Sequence, residues 1–416
     1  MRECLYVGIA LFLVLYSSRA VCATTAFDTD GMITIDGKRT LIIGSYYEAK
    51  SDRPYAELAE AGFNLVRSGA DRETLDKVQA AGLVAWVSIG TLDLDDRENS
   101  AAKLVETVNG VKDHPALAFL ETVDEPAWTW GKAEARVPWQ RFAEAYPVIK
   151  QADPNHLLYM NHAPTNLVKT MRQYNAGTDI VACDIYPVNP GGLRPMYALW
   201  PDGHQGDLNN NQISQVGEYV DKMRQVTGPD RPLLMVLQAF AWEALRDKDR
   251  DESKVLYPTY EQSRFMAFQA IIKGANGIVY WGSHHLPQPS DAWTGIKRVT
   301  RELADLGAVL ATPAVPMLQQ TRGCNPLSGT MPIGIDYHEM GYSVDDGVQI
   351  LVKKHDDKTY LFTCNADKYP CQATLSGLAG LNTCAVLNEN RTLPVEQAAI
   401  TDTWHAFGVH VYALSQ

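Results

Sequence analysis

The sequence lacks a basic stripe that could bind phosphates, and this excludes a large class of functions. Its 416 residues hold 37 lysines and arginines against 49 aspartates and glutamates, which gives a formal net charge of −12. Because proteins bind nucleic acids chiefly by neutralising phosphates with lysine and arginine, we expect no nucleic-acid partner. The apolar content of 46% and the charged content of 21% are typical of a folded globular protein.

The N-terminal apolar run is too short to cross a membrane comfortably. It extends from about Leu5 to Tyr16, whereas a spanning helix needs roughly 20 apolar residues. An arginine precedes the run, small residues follow it, and Val21-Cys22-Ala23 fits a signal-peptidase site. We therefore predict that residues 1–23 are a cleaved signal peptide, and that the protein is secreted or periplasmic without a stable membrane anchor.

Cysteine is scarce, with seven in the whole chain. Cys183 lies inside the apolar run DIVACDIYPV, which predicts a free, buried core residue. An oxidising compartment would allow one or two disulfides in the C-terminal quarter of the chain. The cysteines of that quarter are Cys324, Cys364, Cys371 and Cys384.

Short apolar runs alternate with helical stretches from residue 32 onward. The first run is TLIIGSYY (40–47) and the last is GIVYWG, and eight such strand-then-helix units follow one another. Continuous apolar runs are typical of parallel strands buried on both faces. Eight units predict a (β/α)8 barrel over residues 24–312. A doubly wound sheet is the alternative, but it normally has fewer repeats, and no glycine-rich phosphate turn follows the first strand.

The pattern changes after about Thr312. Short alternating runs such as VQILVKKHDD and HAFGVHVYAL are broken by glycine, asparagine, aspartate and proline. This pattern predicts an antiparallel β-sandwich over residues 313–416, with Pro313 and Pro316 in the linker region.

Barrel enzymes carry their active sites at the C-terminal ends of the strands, and these ends are rich in carboxylates, aromatic rings and amides here. Aromatic rings offer flat apolar faces to sugars, while amides and carboxylates match sugar hydroxyls. We therefore predict a carbohydrate site. Outside the fourth strand, its candidate residues are Tyr46, Tyr47, Arg67, Asn161, His162, Asp184, Tyr186, Gln238, Trp242, Trp281 and His284.

The fourth strand ends in FLETVDEPAW, which holds three carboxylates. Side chains alternate along a strand, so Glu121 and Glu125 are expected on one face and Asp124 on the other. Glu121 would lie deep and need an arginine partner, and Arg67 is expected to pair with it or with Glu48. Glu125 lies beside a like charge, which should raise its pKa and suit it to general acid catalysis. The alternative is a strand-end acid that caps the next loop.

The order of these features resembles the clan A glycoside hydrolases, which have a Glu-Pro at the end of strand four, an aromatic-rich strand eight and a trailing β-sandwich. The sequence looks most like secreted barrels with Asp-Glu-Pro at strand four, Asp-x-Tyr-Pro at strand six and Gln-Ala-Phe at strand seven. These motifs stand here at residues 124–126, 184–187 and 238–240. The resemblance covers about two-thirds of the chain. It implies a glycoside hydrolase acting on a poly- or oligosaccharide, with Glu125 as the acid/base.

Two positions depart from the pattern of that clan. The clan has an asparagine before the acid/base glutamate, whereas this chain has Asp124, which could accept from a sugar hydroxyl or orient an acetamido group. The clan also has a nucleophilic glutamate at the end of strand seven, where this chain has Gln238. Because an amide cannot act as a carboxylate nucleophile, we expect Gln238 to hydrogen-bond the reacting sugar instead.

Three alternatives for the missing carboxylate remain open. Glu243 lies in the loop five residues further on, and Asp184 as a base would suit an inverting mechanism, which needs a wider carboxylate gap. The third alternative has no second carboxylate at all, and the barrel then binds carbohydrate without catalysis. Glu261 is a weaker candidate because Thr259-Tyr260-Glu261-Gln262 predicts a helix capping box.

A metal-dependent hydrolase of another class is a further alternative. It rests on the adjacent pair His284-His285, but no third ligand stands at a recognisable spacing. We therefore predict no metal and no cofactor. The oligomeric state is not determined by these patterns.

Overall fold

The computed structural model describes residues 23–128, 135–190, 210, 212–315, 325–326 and 347–416. The predicted signal peptide lies outside these residues except for Ala23 and stays a prediction. Within the described ranges, no helix is both long and apolar enough to cross a membrane.

A small antiparallel sheet precedes the barrel and was not predicted. It consists of β1 (Thr25–Phe27), β2 (Ile33–Ile35) and β3 (Lys38–Arg39). The Thr25 hydroxyl donates to the carbonyl of Ala118 at 3.0 Å and accepts from the Leu157 amide at 2.8 Å. Since both partners lie at the N-terminal ends of barrel strands, the sheet covers that end of the barrel.

Eight parallel strands form a closed barrel, which confirms the predicted fold. Each strand pairs with its successor in the chain, and the last strand pairs with the first. The strands are β4 (Ile42–Ser45), β5 (Leu65–Ser68), β6 (Val84–Ser88), β7 (Leu117–Glu121), β8 (Leu157–His162), β9 (Ile180–Ile185), β10 (Leu233–Gln238) and β11 (Gly277–Trp281).

Helices follow the strands and cover the outside of the barrel. They are α1 (Pro54–Glu60), α2 (Arg72–Ala80), α3 (Arg97–Val111), α4 (Trp139–Ala152), α5 (Val168–Tyr174), α6 (Gln215–Thr227), α7 (Tyr260–Ile272), α8 (Asp291–Asp305) and α9 (Gly307–Leu310). Helix α7 begins with the predicted capping box, in which the Thr259 and Gln262 side chains exchange hydrogen bonds with each other's backbone amides. Glu261 is therefore an acid in the first turn of a helix.

The barrel interior is apolar at one end and polar at the other. Buried side chains that include Ile42, Leu65, Phe119, Val236 and Val279 pack together inside it. Because side chains alternate along a strand, the residues two positions further on also point inward. Several of these residues are polar or aromatic and lie at the C-terminal ends of the strands: Arg67, Glu121, Gln238 and Trp281.

Two antiparallel sheets form the C-terminal domain, which confirms the predicted β-sandwich. One sheet has the order β12-β15-β18 and the other β13-β14-β19-β16-β17. The strands are β12 (Asn325–Pro326), β13 (Val348–His355), β14 (Lys358–Asn365), β15 (Cys371–Ser376), β16 (Thr383–Val386), β17 (Arg391–Pro394), β18 (Ala399–Trp404) and β19 (Val409–Ser415). The predicted boundary at residues 312 and 313 stays a prediction.

An arginine of the barrel helices joins a buried ion pair and also contacts the sandwich. Arg264 of α7 pairs with Glu302 of α8 at 2.7 Å and also donates to the carbonyl of Val409 in β19 at 2.8 Å.

The cysteines of this domain only partly allow a test of the disulfide prediction. Cys364 and Cys384 are buried free thiols, whereas Cys324 lies outside the described residues. Cys183 is free and fully buried, as predicted.

Candidate active site

Glu121 is the deepest carboxylate of the site and pairs with Arg67. The Nε atom of Arg67 donates to Glu121 Oε2 at 2.8 Å. Glu121 is 1% exposed, whereas 39% of the Arg67 side chain is exposed. Burial raises the pKa of Glu121, and the adjacent guanidinium opposes this shift. The prediction that Glu121 is an ion-paired structural acid is confirmed, and Arg67 extends from this pair towards solvent.

The chain turns sharply after Glu121, which corrects the expected placement of the next two acids. Strand β7 ends at Glu121, so side-chain alternation does not continue to Asp124 and Glu125. Glu125 has a positive φ of 44°, which is rare for a residue with a side chain. Its amide donates to the carbonyl of Asn161 at 3.0 Å. This turn brings both acids to the same site, whereas alternation predicts opposite faces.

Asn161 of β8 connects two of the carboxylates. Its Nδ2 donates to Asp124 Oδ1 at 3.0 Å and lies 3.3 Å from Asp184 Oδ1. The carboxyl group of Glu125 in turn hydrogen-bonds that of Asp184. We refer to Asp124, Glu125 and Asp184 as the carboxylate cluster. The strand-end rule predicted each of these residues from sequence, and the structure brings them together.

Burial and mutual repulsion favour the protonated form of the acids in the carboxylate cluster. Burial, and then the charge of Asp124, raises the pKa of Glu125 to about 7. Burial and the charge of Glu125 also raise the pKa of Asp184 well above its ordinary value. Two carboxyl groups can form a hydrogen bond only when one of them is protonated. This arrangement is typical of a general acid that must keep its proton near neutral pH.

The contact between Glu125 and Asp184 is too close for the base role that was considered for Asp184. An inverting glycosidase separates its carboxyl groups by roughly 6.5–9.5 Å, and a retaining one by roughly 5–5.5 Å. Carboxyl groups in hydrogen-bonding contact leave no room for a water or a sugar carbon between them. This contact argues against Asp184 as the base: Asp184 is a buried partner of Glu125, and the hydrogen bond between the two opposes the rise in the pKa of Glu125 that burial and Asp124 cause.

The amide group of Gln238 is occupied by backbone hydrogen bonds, which argues against the predicted hydrogen bond to a sugar. Its Nε2 donates to the carbonyls of Val188 and Phe240 at 2.9 and 3.0 Å, and its Oε1 accepts from the Val188 amide at 2.9 Å. The side chain is fully buried. An amide group has two N–H donors, and both are used here. Gln238 therefore links the segment after β9 to the end of β10.

Glu243 also has a local role. It lies in a short 3-10 turn after β10 and is 1% exposed. Its Oε1 accepts from the Asp251 amide at 2.7 Å, and Arg246 Nε lies 3.3 Å from its Oε2 without good hydrogen-bond geometry. These contacts are within the loop itself and not with the carboxylate cluster. The structure therefore does not place Glu243 as a nucleophile opposite Glu125.

Four aromatic side chains pack together beside the carboxylate cluster. Tyr186, Phe240, Trp242 and Trp281 form a set in which the centroids of the contacting rings lie 5.0–6.0 Å apart. The Trp242 indole N–H donates to the carbonyl of Tyr186 at 3.0 Å, which fixes two rings relative to each other. Tyr186, Trp242 and Trp281 are only half-buried, so part of each ring remains open to a ligand. We refer to these four residues as the aromatic cluster.

Three tyrosines line the site from other strands. The hydroxyl groups of Tyr46 and Tyr159 are hydrogen-bonded at 3.0 Å, and both residues are buried. Tyr47 packs against His284 with ring centroids 3.7 Å apart and the ring planes tilted by 38°. The sequence analysis predicted all of these except Tyr159. Counting two residues back from Asn161 along the inward face would have found it.

His162 lies outside the site, which corrects its prediction as a substrate contact. It follows Asn161 in β8 and therefore points to the outer face of the barrel. It is fully buried against the ring of Tyr174 in α5, with ring centroids 5.7 Å apart. Burial lowers its pKa to about 4, so it is neutral at physiological pH.

The histidine pair considered for a metal lies at the edge of the site. The ring centroids of His284 and His285 lie 3.8 Å apart. Burial and the neighbouring His285 lower the pKa of His284 to about 4. In the part of the chain that the structure describes, no group of three or more potential ligands is placed to hold a metal ion.

Comparisons with known proteins place the fold. A scan against models of known protein families finds no match, and neither does a search of curated proteins. Solved structures do match over most of the chain. One described as a glycoside hydrolase aligns with a TM-score of 0.58 at 12% identity, covering 94% of this chain and 97% of that chain. A glycoside hydrolase family 5 protein from Bacteroides vulgatus aligns with a TM-score of 0.58 at 10% identity, covering 94% and 93%.

A β-galactosidase from Bacillus circulans sp. alkalophilus aligns with a TM-score of 0.54 at 9% identity, covering 90% of this chain and 99% of that chain. At such low identity these likenesses show the fold alone. They confirm, for the fold, the resemblance to glycoside hydrolase barrels that the sequence motifs suggested.

Proposed function

We propose that this protein is a secreted glycoside hydrolase that cleaves a poly- or oligosaccharide, with Glu125 as the general acid. The observation that carries the proposal is the position of Glu125. It lies at the C-terminal end of the fourth barrel strand, in contact with Asp184 and near the aromatic cluster. The fold shared with glycoside hydrolases supports the same function, although a fold alone does not determine activity.

The chemistry of the proposed reaction follows from the carboxylate cluster. Cleavage of a glycosidic bond needs a proton for the departing oxygen, and a carboxylic acid with a pKa near the working pH supplies it best. With its pKa raised to about 7, Glu125 is largely protonated in weakly acidic solution and about half protonated at neutral pH. The half-buried aromatic rings offer apolar faces on which a sugar ring can stack.

Turnover of aryl glycosides and polysaccharides by wild type and Glu125→Gln tests the proposal. We expect Glu125→Gln to lose at least about a hundredfold in kcat, as general acid catalysis contributes roughly 10²–10⁴-fold. Glu261→Gln is the matched control, because Glu261 lies in the first turn of α7. Equal activity of wild type and Glu125→Gln would contradict the proposed role.

A carbohydrate-binding barrel without catalysis is the second candidate. The observation that favours it is Gln238, which stands where a clan A barrel has its nucleophile and is held by backbone groups. This candidate predicts that oligosaccharides bind wild type and Glu125→Gln with the same affinity, and that neither protein cleaves any of them. Calorimetry with the same panel separates the two candidates.

Secretion is the other part of the proposal. It is supported by the charged, apolar and small-residue order of residues 1–23. N-terminal sequencing of the protein exported by its native host should find a mature chain that begins at Thr24. A mature chain that begins at Met1 would contradict the proposed signal peptide.

A further inference from the structure

The site has an acid but no nucleophile in the usual place. Gln238 is tied to backbone groups, and Glu243 is held within its own loop. Asp184 touches Glu125 and cannot act from the opposite side of a sugar ring. Across the residues that the structure describes, none of these strand-end candidates is placed to attack the anomeric carbon. Such a site can still cleave a glycoside when the substrate itself carries the nucleophile.

We propose that the substrate is a 2-acetamido sugar whose own carbonyl oxygen attacks the anomeric carbon, and that Asp124 holds the acetamido N–H. This inference rests on the glycoside hydrolase function proposed above. It identifies the substrate class and gives Asp124 a role of its own. The acetamido group and the leaving group must then be trans, as they are in β-N-acetylglucosaminides and β-N-acetylgalactosaminides.

Asp124 has the chemistry and the exposure that this role needs. Its Oδ1 accepts from Asn161 Nδ2 at 3.0 Å, which fixes the carboxylate and leaves Oδ2 for a ligand. Although protein surrounds it on most sides, the residue is open to solvent in the cleft. A carboxylate only accepts hydrogen bonds, so it suits an N–H group. It also stabilises the positive charge that develops on the acetamido nitrogen during attack, which a neutral asparagine does less well.

The aromatic cluster suits the other end of the acetamido group. Tyr186, Phe240 and Trp281 lie with their ring centroids 5.0–5.6 Å apart. Tyr186 also lies close enough to the carboxylate cluster for the charges of all three acids to act on its hydroxyl. Tyr186 and Trp281 are half-buried, so their rings offer apolar surface on which the acetamido methyl group can pack while the amide is directed at Asp124.

The proposed reaction has two balanced steps. In the first, the carbonyl oxygen forms a bond to the anomeric carbon, the glycosidic C–O bond breaks, and Glu125 gives its proton to the leaving oxygen. Asp124 accepts the N–H hydrogen bond of the resulting cyclic oxazolinium ion. In the second step, water attacks the anomeric carbon and opens the ring, while the Glu125 carboxylate takes a proton from that water. The anomeric configuration is retained and Glu125 ends protonated.

Three measurements on wild type test the inference. The 4-nitrophenyl β-glycosides of N-acetylglucosamine and N-acetylgalactosamine are compared with those of glucose and galactose, and we expect at least about a hundredfold higher kcat/KM for one acetamido substrate. Mono-, di- and trifluoroacetyl versions of that substrate should react progressively more slowly, by roughly tenfold or more over the series, because fluorine weakens the carbonyl nucleophile. Proton NMR should show retained configuration in the first product.

Asp124→Asn adds a test of the residue. We expect its kcat on the acetamido substrate to fall at least about tenfold. Asp113→Asn is the control, since Asp113 is exposed at the other end of the barrel and should leave kcat unchanged. Equal turnover of acetamido and hydroxyl glycosides, or no effect of fluorination, would overturn the inference and leave the proposed hydrolase intact. If no glycoside is cleaved at all, the proposed function fails and this inference fails with it.

Discussion

The charge of Asp124 should set part of the pKa of Glu125, and Asp124→Asn measures that part. The pKa of Glu125 is raised to about 7, first by burial and then by the Asp124 charge. Asparagine has nearly the same shape as aspartate, and its carbonyl can still accept from Asn161. The substitution therefore removes the charge and keeps the burial. We expect the pKa of Glu125 to fall while remaining above its ordinary value.

The size of the shift follows from Coulomb's law. Two carboxylates about 6 Å apart repel each other by roughly 3 kcal/mol at an effective dielectric constant of about 20. Since one pKa unit corresponds to about 1.4 kcal/mol, full repulsion would give a shift of about two units. Asp124 is open to solvent, and water screens exposed charges. We therefore expect a decrease of about one unit.

Carbon-13 NMR of glutamate-labelled protein measures this shift without a substrate. The side-chain carboxyl resonance of Glu125 is assigned by its loss in Glu125→Gln and is then followed against pH in wild type and Asp124→Asn. Asp113→Asn serves as the control and should leave the titration unchanged. An unchanged or higher pKa in Asp124→Asn would refute the view that repulsion by Asp124 helps to keep Glu125 protonated.

Three further substitutions test the structural roles of other site residues. Gln238→Glu should lower the free energy of unfolding, measured in urea, by about 3 kcal/mol, because it loses both N–H donors and buries a charge. The half-buried capping-box variant Gln262→Glu should change this free energy by less than about 0.5 kcal/mol. Arg67→Met should cost about 3 kcal/mol at pH 8, because it leaves Glu121 charged and unpaired. Without its arginine, Glu121 has a pKa raised above the unfolded value. The loss of stability should therefore shrink as the pH falls towards 4 and the acid protonates. A loss of stability that grows in acid would contradict the pairing. Glu243→Ala with added azide should yield no glycosyl azide by mass spectrometry, whereas its formation would show that Glu243 is a nucleophile.

Most of the fold could be predicted because its signals are local. Eight apolar runs with helical stretches between them define the barrel, and period-two runs define the sandwich. The N-terminal sheet was missed because strands of two or three residues, such as Lys38–Arg39, are too short to show a period. Whether cysteines pair depends on contacts across the sandwich, which the sequence does not show. In the structure, Cys364 and Cys384 are buried free thiols.

The positions of site residues were predictable where they follow from strand geometry alone, and not where loops determine them. The ends of the strands placed Asn161 and Asp184 in the barrel mouth. Alternation from Asn161 would also have placed His162 on the outer face. The positive φ of Glu125 and the hydrogen bonds between Gln238 and the segment after β9 depend on the tertiary structure. No sequence pattern shows them, and they decide which carboxylates meet.

The most direct test of Glu125 as the general acid asks whether the activity lost in Glu125→Gln depends on the leaving group of the substrate. Wild type and Glu125→Gln are compared on 2,4-dinitrophenyl and alkyl glycosides of the same sugar. A dinitrophenolate leaves without a proton, whereas an alkoxide needs one. The proposed role predicts that Glu125→Gln loses at least about a hundredfold in kcat/KM on the alkyl glycoside and less than about tenfold on the dinitrophenyl glycoside. Equal losses on both substrates would contradict it.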